Sequence, residues 1–97
     1  MAVKKQYLKT KPICKVTFTV AAPDAENVVV AGDFNNWDEK SFQLKKLKNG
    51  TFKGTVNLDK DKSYEFKYIV DGMWTNEDAA DSKVTNQYAT ENSVLNL

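Results

Sequence analysis

Apolar and polar residues alternate along most of this chain, and the period is two. Cys14, Val16, Phe18 and Val20 are separated by Lys15, Thr17 and Thr19, the pattern of a strand that buries one face. Val28-Val29-Val30-Ala31 is apolar throughout, which predicts a strand covered on both faces and central in its sheet. Phe42 and Leu44 open a third strand that runs to Leu47. Asn49-Gly50 follows as a hairpin signal, because both central positions of a type I′ turn need φ above zero. A fourth strand sets Phe52, Gly54, Val56 and Leu58 against Lys53, Thr55 and Asn57. The fifth sets Tyr64, Phe66, Tyr68 and Val70 against Glu65, Lys67 and Ile69, and Asp71-Gly72 turns it back through Met73 and Trp74. Residues 76–83 are polar without a regular pattern and are expected as a loop. A last strand sets Ser93, Leu95 and Leu97 against Asn92, Val94 and Asn96.

No window carries a helical stripe. About seven short strands, with turn signals roughly every 8–12 residues, predict an all-β, immunoglobulin-like sandwich over residues 13–97. The first twelve residues read differently. Lys4, Lys5, Lys9 and Lys11 occur there with no acid, the composition of a solvated lysine-rich arm that Tyr7 and Leu8 tie partly to the domain.

Composition then removes whole classes of function. Ninety-seven residues suffice for one core and not for two. The absence of histidine removes the usual general base and the commonest metal ligand, and the one cysteine, Cys14, leaves no zinc ligand set and no internal disulfide. No metal or cofactor is expected, and the cysteine count fits a reducing, cytoplasmic setting. All the basic residues are lysines and the net charge is +1, so neither the arginine fork nor a strong positive field is present for nucleic acid. No apolar run approaches the ~20 residues of a membrane helix.

Two residues fall outside the alternating core pattern. Trp37 and Trp74 lie beside polar turns, among Asn35, Asn36, Thr75 and Asn76. Each could be a lid folded over the end of the sandwich. The alternative is chemical: the apolar C–H face of a glucose ring stacks on a flat indole, and its hydroxyls pair with amides, hydroxyls and lysine. Nine asparagines, most of them near turns, supply amides. Lys67 lies on the outward face of the fifth strand and leads toward Trp74, while Thr90 and Asn92, two apart, share a face. Among the acids, Asp33, Asp38, Glu39, Glu77 and Asp78 are the candidates for a glycosidase pair. Asp33 and Asp71 read better as turn residues, and so small a domain offers no deep cleft to tune a carboxylate.

The run Val28-Val29-Val30-Ala31-Gly32-Asp33-Phe34-Asn35-Asn36-Trp37 resembles the signature of the glycogen-binding, isoamylase N-terminal-like (early set) domains, carbohydrate-binding module family 48. Asn49-Gly50-Thr51-Phe52, the block from Tyr64 to Trp74, and Thr90-Glu91-Asn92-Ser93-Val94 match in order. The first residues also resemble small bacterial stand-alone members. The resemblance implies a β-sandwich of the kind found in starch-debranching and glycogen-branching enzymes and in the β subunit of the AMP-activated protein kinase. It implies an α-1,4-linked glucan as ligand, no catalysis, and binding through Trp37, Trp74, Lys67, Thr90 and Asn92. Tyr88 occupies the position of a leucine wedge, with Ala89 where kinase-type members have glycine. The other implied reading is a packing module that docks on a partner enzyme of glycogen or starch metabolism, or on a kinase-like subunit, without touching sugar.

Overall fold

Alternation of this kind must be resolved by stacking two sheets, each hiding its apolar face on the other. A computed structural model of the chain describes residues 1–77 and 80–97. Its strands are β1 (Ala2–Tyr7), β2 (Ile13–Ala21), β3 (Val28–Gly32), β4 (Lys45–Lys46), β5 (Thr51–Asp59), β6 (Ser63–Val70), β7 (Met73–Thr75), β8 (Ser82–Thr85) and β9 (Glu91–Asn96). One sheet runs β1-β2-β5-β4, the other β3-β6-β9-β8 with β7 also on β6, and every pairing is antiparallel. The molecule is the all-β sandwich that the period predicts.

The core forms where the predicted inward sets meet. Val16, Phe18, Val20 and Phe52 from the first sheet pack against Val28, Val30, Phe66, Tyr68 and Leu95 from the second. Phe18 is the hub: its ring lies edge-on to Phe66 at 5.3 Å and to Phe42 at 5.9 Å, and stacks on Phe34 at 6.2 Å. Gly54 is inward too, and its missing side chain has a purpose. A Cβ there would lie 2.5 Å from Leu44 Cδ2 and 3.0 Å from Phe42 Cε1, so the glycine is the space those side chains fill.

The structure departs from the alternation in four places. The predicted third strand is split between the sheets. Phe42 and Leu44 bond to β3 (Val30 N–H to Phe42 O, 3.0 Å; Leu44 N–H to Val28 O, 2.9 Å), whereas Lys45–Lys46 pairs with β5. A strand that crosses from one sheet to the other closes the sandwich, and its residues still alternate, so sequence alone cannot locate the crossing. β3 is therefore not central: it ends its sheet, flanked by this short segment, and is nevertheless buried on both faces. The hairpin at Asn49-Gly50 is present, but only Gly50 has positive φ (82°). Leu47 N–H bonds Thr51 O at 2.7 Å across a three-residue loop, and Asn49 Oδ1 accepts the Thr51 N–H. Ser82–Thr85, partly within the expected loop, is a strand because β9 offers an open edge, not because of any apolar face of its own.

The lysine-rich start is ordered as well. β1 pairs with β2 along its length, setting Val3, Lys5 and Tyr7 opposite Phe18, Val16 and Cys14. Lys5 thus points inward at the rim and bridges the sheets: its Nζ meets Asp81 Oδ2 at 2.6 Å and Asn96 O at 2.9 Å, while Asn96 N–H donates to the same carboxylate. An inward charge on an edge strand also discourages pairing with another chain. Burial pushes the Asp81 carboxyl up, but the Lys5 ammonium and the Asn96 amide outweigh it and hold the group below the ordinary carboxylate value.

Candidate functional site

The outer face of the second sheet departs from the polar rule. With Phe66 and Tyr68 inward, β6 turns Glu65, Lys67 and Ile69 outward, and register sets Ala31 opposite Lys67 and both Val29 and Trp74 beside Ile69. Val29, Ala31 and Ile69 form a small buried apolar cluster of their own, roofed by Trp37. That roof is what buries the second face of β3.

Each residue of Gly32-Asp33-Phe34-Asn35-Asn36-Trp37 has a part in seating the indole. Phe34 drops into the core. Asn35 clamps the turn, its Oδ1 accepting Gly32 N–H at 2.9 Å and its Nδ2 donating to Val30 O at 3.0 Å. Asn36 and Trp37 then take left-handed φ values of 56° and 58°, and Trp37 N–H bonds back to Gly32 O at 2.9 Å. Asp33 accepts Trp37 Nε1–H on Oδ1 (3.1 Å) and Glu65 N–H on Oδ2 (2.8 Å). Each of its oxygens accepts one bond, so it orients the ring and ties the turn to β6.

The second indole arrives by the other turn. Asp71 and Gly72 have φ 48° and 84°, the turn expected there, but the Asp71 carboxylate reaches a distant segment and accepts the N–H groups of Glu26 and Asn27 at 2.9 and 2.8 Å. β7 returns along β6 and sets Trp74 beside Trp37, with ring centroids 6.4 Å apart and planes inclined by 40°. Trp74 is 46% exposed; Trp37 is half-buried.

The loop between β8 and β9 forms the facing wall, and Asn86 organises it. Asn86 Oδ1 accepts the N–H of Tyr88 (2.9 Å) and of Thr90 (3.2 Å), while Nδ2 donates to Thr90 Oγ1 (2.8 Å) and Asn92 Oδ1 (2.9 Å). Asn92 Nδ2 in turn donates to Glu65 Oε1 at 3.1 Å. Tyr88 stands 76% exposed at the rim, and Ala89 carries φ 61°, a conformation that suits glycine better.

Between these walls lies a groove of about 810 Å³. Trp37, Lys67, Trp74, Tyr88, Thr90 and Asn92 all line it. So do Asp33, Glu65, Asn86 and Gln87, which the sequence reading did not single out as ligand contacts. Glu65 was within reach of the period-two argument, being two residues from Lys67 on one face; Asn86 carried no signal beyond its residue type. Of the acidic candidates, Asp38 and Glu39 are exposed outside the groove, and Glu77 is buried and accepts the Tyr68 hydroxyl at 2.7 Å. Asp78 lies outside the described residues. Among the described residues no cluster of carboxylates and cysteine could hold a metal ion, and no helix is long and apolar enough to cross a membrane.

Comparison with known proteins agrees with this architecture. The model of carbohydrate-binding module 48, the isoamylase N-terminal domain, matches residues 6–89, which takes in both tryptophans, Lys67 and Tyr88. An amylopullulanase of Thermoanaerobacterium thermosulfurigenes is 35% identical over 95 residues, covering 88% of this chain and 5% of that protein. A 1,4-alpha-glucan branching enzyme of Butyrivibrio fibrisolvens is 54% identical over 33 residues, or 34% of this chain and 5% of that enzyme. The branching enzyme of Oceanobacillus iheyensis is 41% identical over 53 residues, or 55% of this chain and 8% of that enzyme. The chain therefore spans only a small part of the length of these relatives. On the extent of the family match and the sandwich that carries it, the chain belongs to the carbohydrate-binding module 48 family.

Proposed function

We propose that this domain is a non-catalytic, cytoplasmic binding module for α-1,4-linked glucan, such as glycogen, starch or malto-oligosaccharides. The observation that carries the reading is the pair of neighbouring indoles, inclined by 40°, in one groove with placed polar groups. An α-1,4 linkage turns each glucose relative to the last, so the apolar faces of successive units do not share a plane. Two tilted platforms fit such a curved chain, whereas a flat β-linked ribbon suits coplanar ones. Trp37 and Trp74 act as the platforms, Lys67, Thr90 and Asn92 as hydroxyl partners, and Tyr88 as a third aromatic surface at the rim. The two carboxylates of the groove hold structure, Asp33 through Trp37 and the Glu65 amide and Glu65 through Asn92, which supports a binding role.

Tryptophan fluorescence titrated with maltoheptaose tests this, with cellohexaose as the control. The expected result is a saturable change with maltoheptaose at micromolar to millimolar concentration and none with cellohexaose. No saturable change with either sugar refutes the proposal. Docking on a partner enzyme of glycogen metabolism, the competing reading, instead predicts no retention on amylose resin and salt-sensitive retention on the partner.

A further inference from the structure

The groove's polar groups differ in what they have left to offer a ligand. Lys67 is a donor only, and Asn92 is already held on both sides, with Oδ1 accepting from Asn86 and Nδ2 donating to Glu65. Asp33 already accepts a bond on each oxygen, from Trp37 and from the Glu65 amide. Glu65 is different. It is half-buried, lines the groove, and uses only Oε1; among the described residues its Oε2 has no hydrogen-bond partner. It also lies two residues from Lys67 on the outward face of β6, so an anionic acceptor and a cationic donor stand side by side along the groove.

We infer that Glu65 is the groove's principal hydroxyl acceptor and sets its demand for free sugar hydroxyls, a role resting on the glucan-binding reading above. A sugar hydroxyl that accepts a hydrogen bond from Lys67 still has its own hydrogen to donate, and an adjacent hydroxyl has another. Oε2 takes these donors through charge-assisted bonds, which neither Thr90 nor Asn92 can match. The site thereby reads hydroxyls as donors as well as acceptors, and a glucan alkylated at those oxygens loses the contact.

The variant Glu65→Gln isolates the role. Glutamine retains an Oε1 that accepts from Asn92 and replaces only the anionic oxygen with a donor, so the wall of the groove and the melting temperature should be unchanged. Maltoheptaose affinity, read by tryptophan fluorescence near pH 7, should fall about tenfold. The charged groups facing Glu65 are Lys67 on its own strand and Asp33 on the turn before Trp37; β9 presents the neutral Asn92. Full wild-type affinity in Glu65→Gln overturns this role and leaves glucan binding standing. Absence of any wild-type response to maltoheptaose overturns both.

Discussion

The outer faces of the two sheets follow different rules. On the first sheet, Lys4, Lys15, Thr17, Thr19, Lys53 and Thr55 point away from the core, and the face is polar, with the Thr17 and Thr55 hydroxyls 3.0 Å apart. On the second sheet, Val29, Ala31 and Ile69 occupy outward positions and are nevertheless buried, because Trp37 covers them. Apolar residues at the polar half-period must be roofed or left in water. A tryptophan roof solves the problem with one face of its ring and leaves the rest as a platform. The candidate site thus sits where the alternation breaks.

The largest expected effect separates core from groove. Phe66→Ala should cost about 3–5 kcal/mol and lower the melting temperature by about 12 °C or more, because Phe66 is fully buried against Phe18 and Tyr68. Trp74→Ala should melt close to wild type and lose its maltoheptaose response, since Trp74 is exposed and outside both buried clusters. If Trp74→Ala melts as early as Phe66→Ala, both indoles are structural cover and the contrast between the faces collapses.

Trp37→Ala sharpens the contrast from between these limits. It removes a platform and also unroofs Val29, Ala31 and Ile69, so it should lose sugar binding and about 2 kcal/mol of stability, half the core penalty. Thermal melts of the three variants in parallel should rank Phe66→Ala, then Trp37→Ala, then Trp74→Ala. A Trp37→Ala protein as stable as wild type would show that the outer cluster needs no roof.

The smallest effect lies at the rim, away from either face. Asp81 has its folded-state carboxyl held below the ordinary value, so its stabilising contribution is present above the unfolded value, about pH 4, and disappears as pH falls through the folded one. Its side chain and that of Lys5 are 31% and 25% exposed, and solvent screening limits the contribution to about 1 kcal/mol or less. Asp81→Asn should therefore melt a few degrees below wild type at pH 7, with the gap closing in acid. A gap that persists unchanged at pH 2.5 would assign it to lost packing.

The charge of the first residues points to a solvated arm, yet they form the strand β1. Val3, Lys5 and Tyr7 do alternate, but a lysine at the middle inward position hides a strand whose inward charge is satisfied by Asp81, which the sequence places far away. The motif Gly32-Asp33-Phe34-Asn35-Asn36-Trp37 was legible in the opposite sense. Its turn chemistry is local, and Asn35 and Asp33 make the bonds their residue types favour. Glu65 could be read by period two, since it must share the face of Lys67; Asn86 could not, because it lies in a loop without periodicity and its four side-chain bonds join Tyr88 and Thr90 of that loop to Asn92 of β9.

By itself the sequence determined which side of each long strand faces the core, where most turns fall, and which residue types were available to meet a ligand. Those properties depend on side-chain period and on bonds within a few residues. Only the tertiary structure decided that β3 ends its sheet, that residues 42–46 pass from one sheet to the other, and that Trp37, Trp74 and the Asn86 loop surround one groove. Which strands become neighbours, and in what register, follows from burying every apolar face at once. That requirement is met between distant segments, and no single segment carries it.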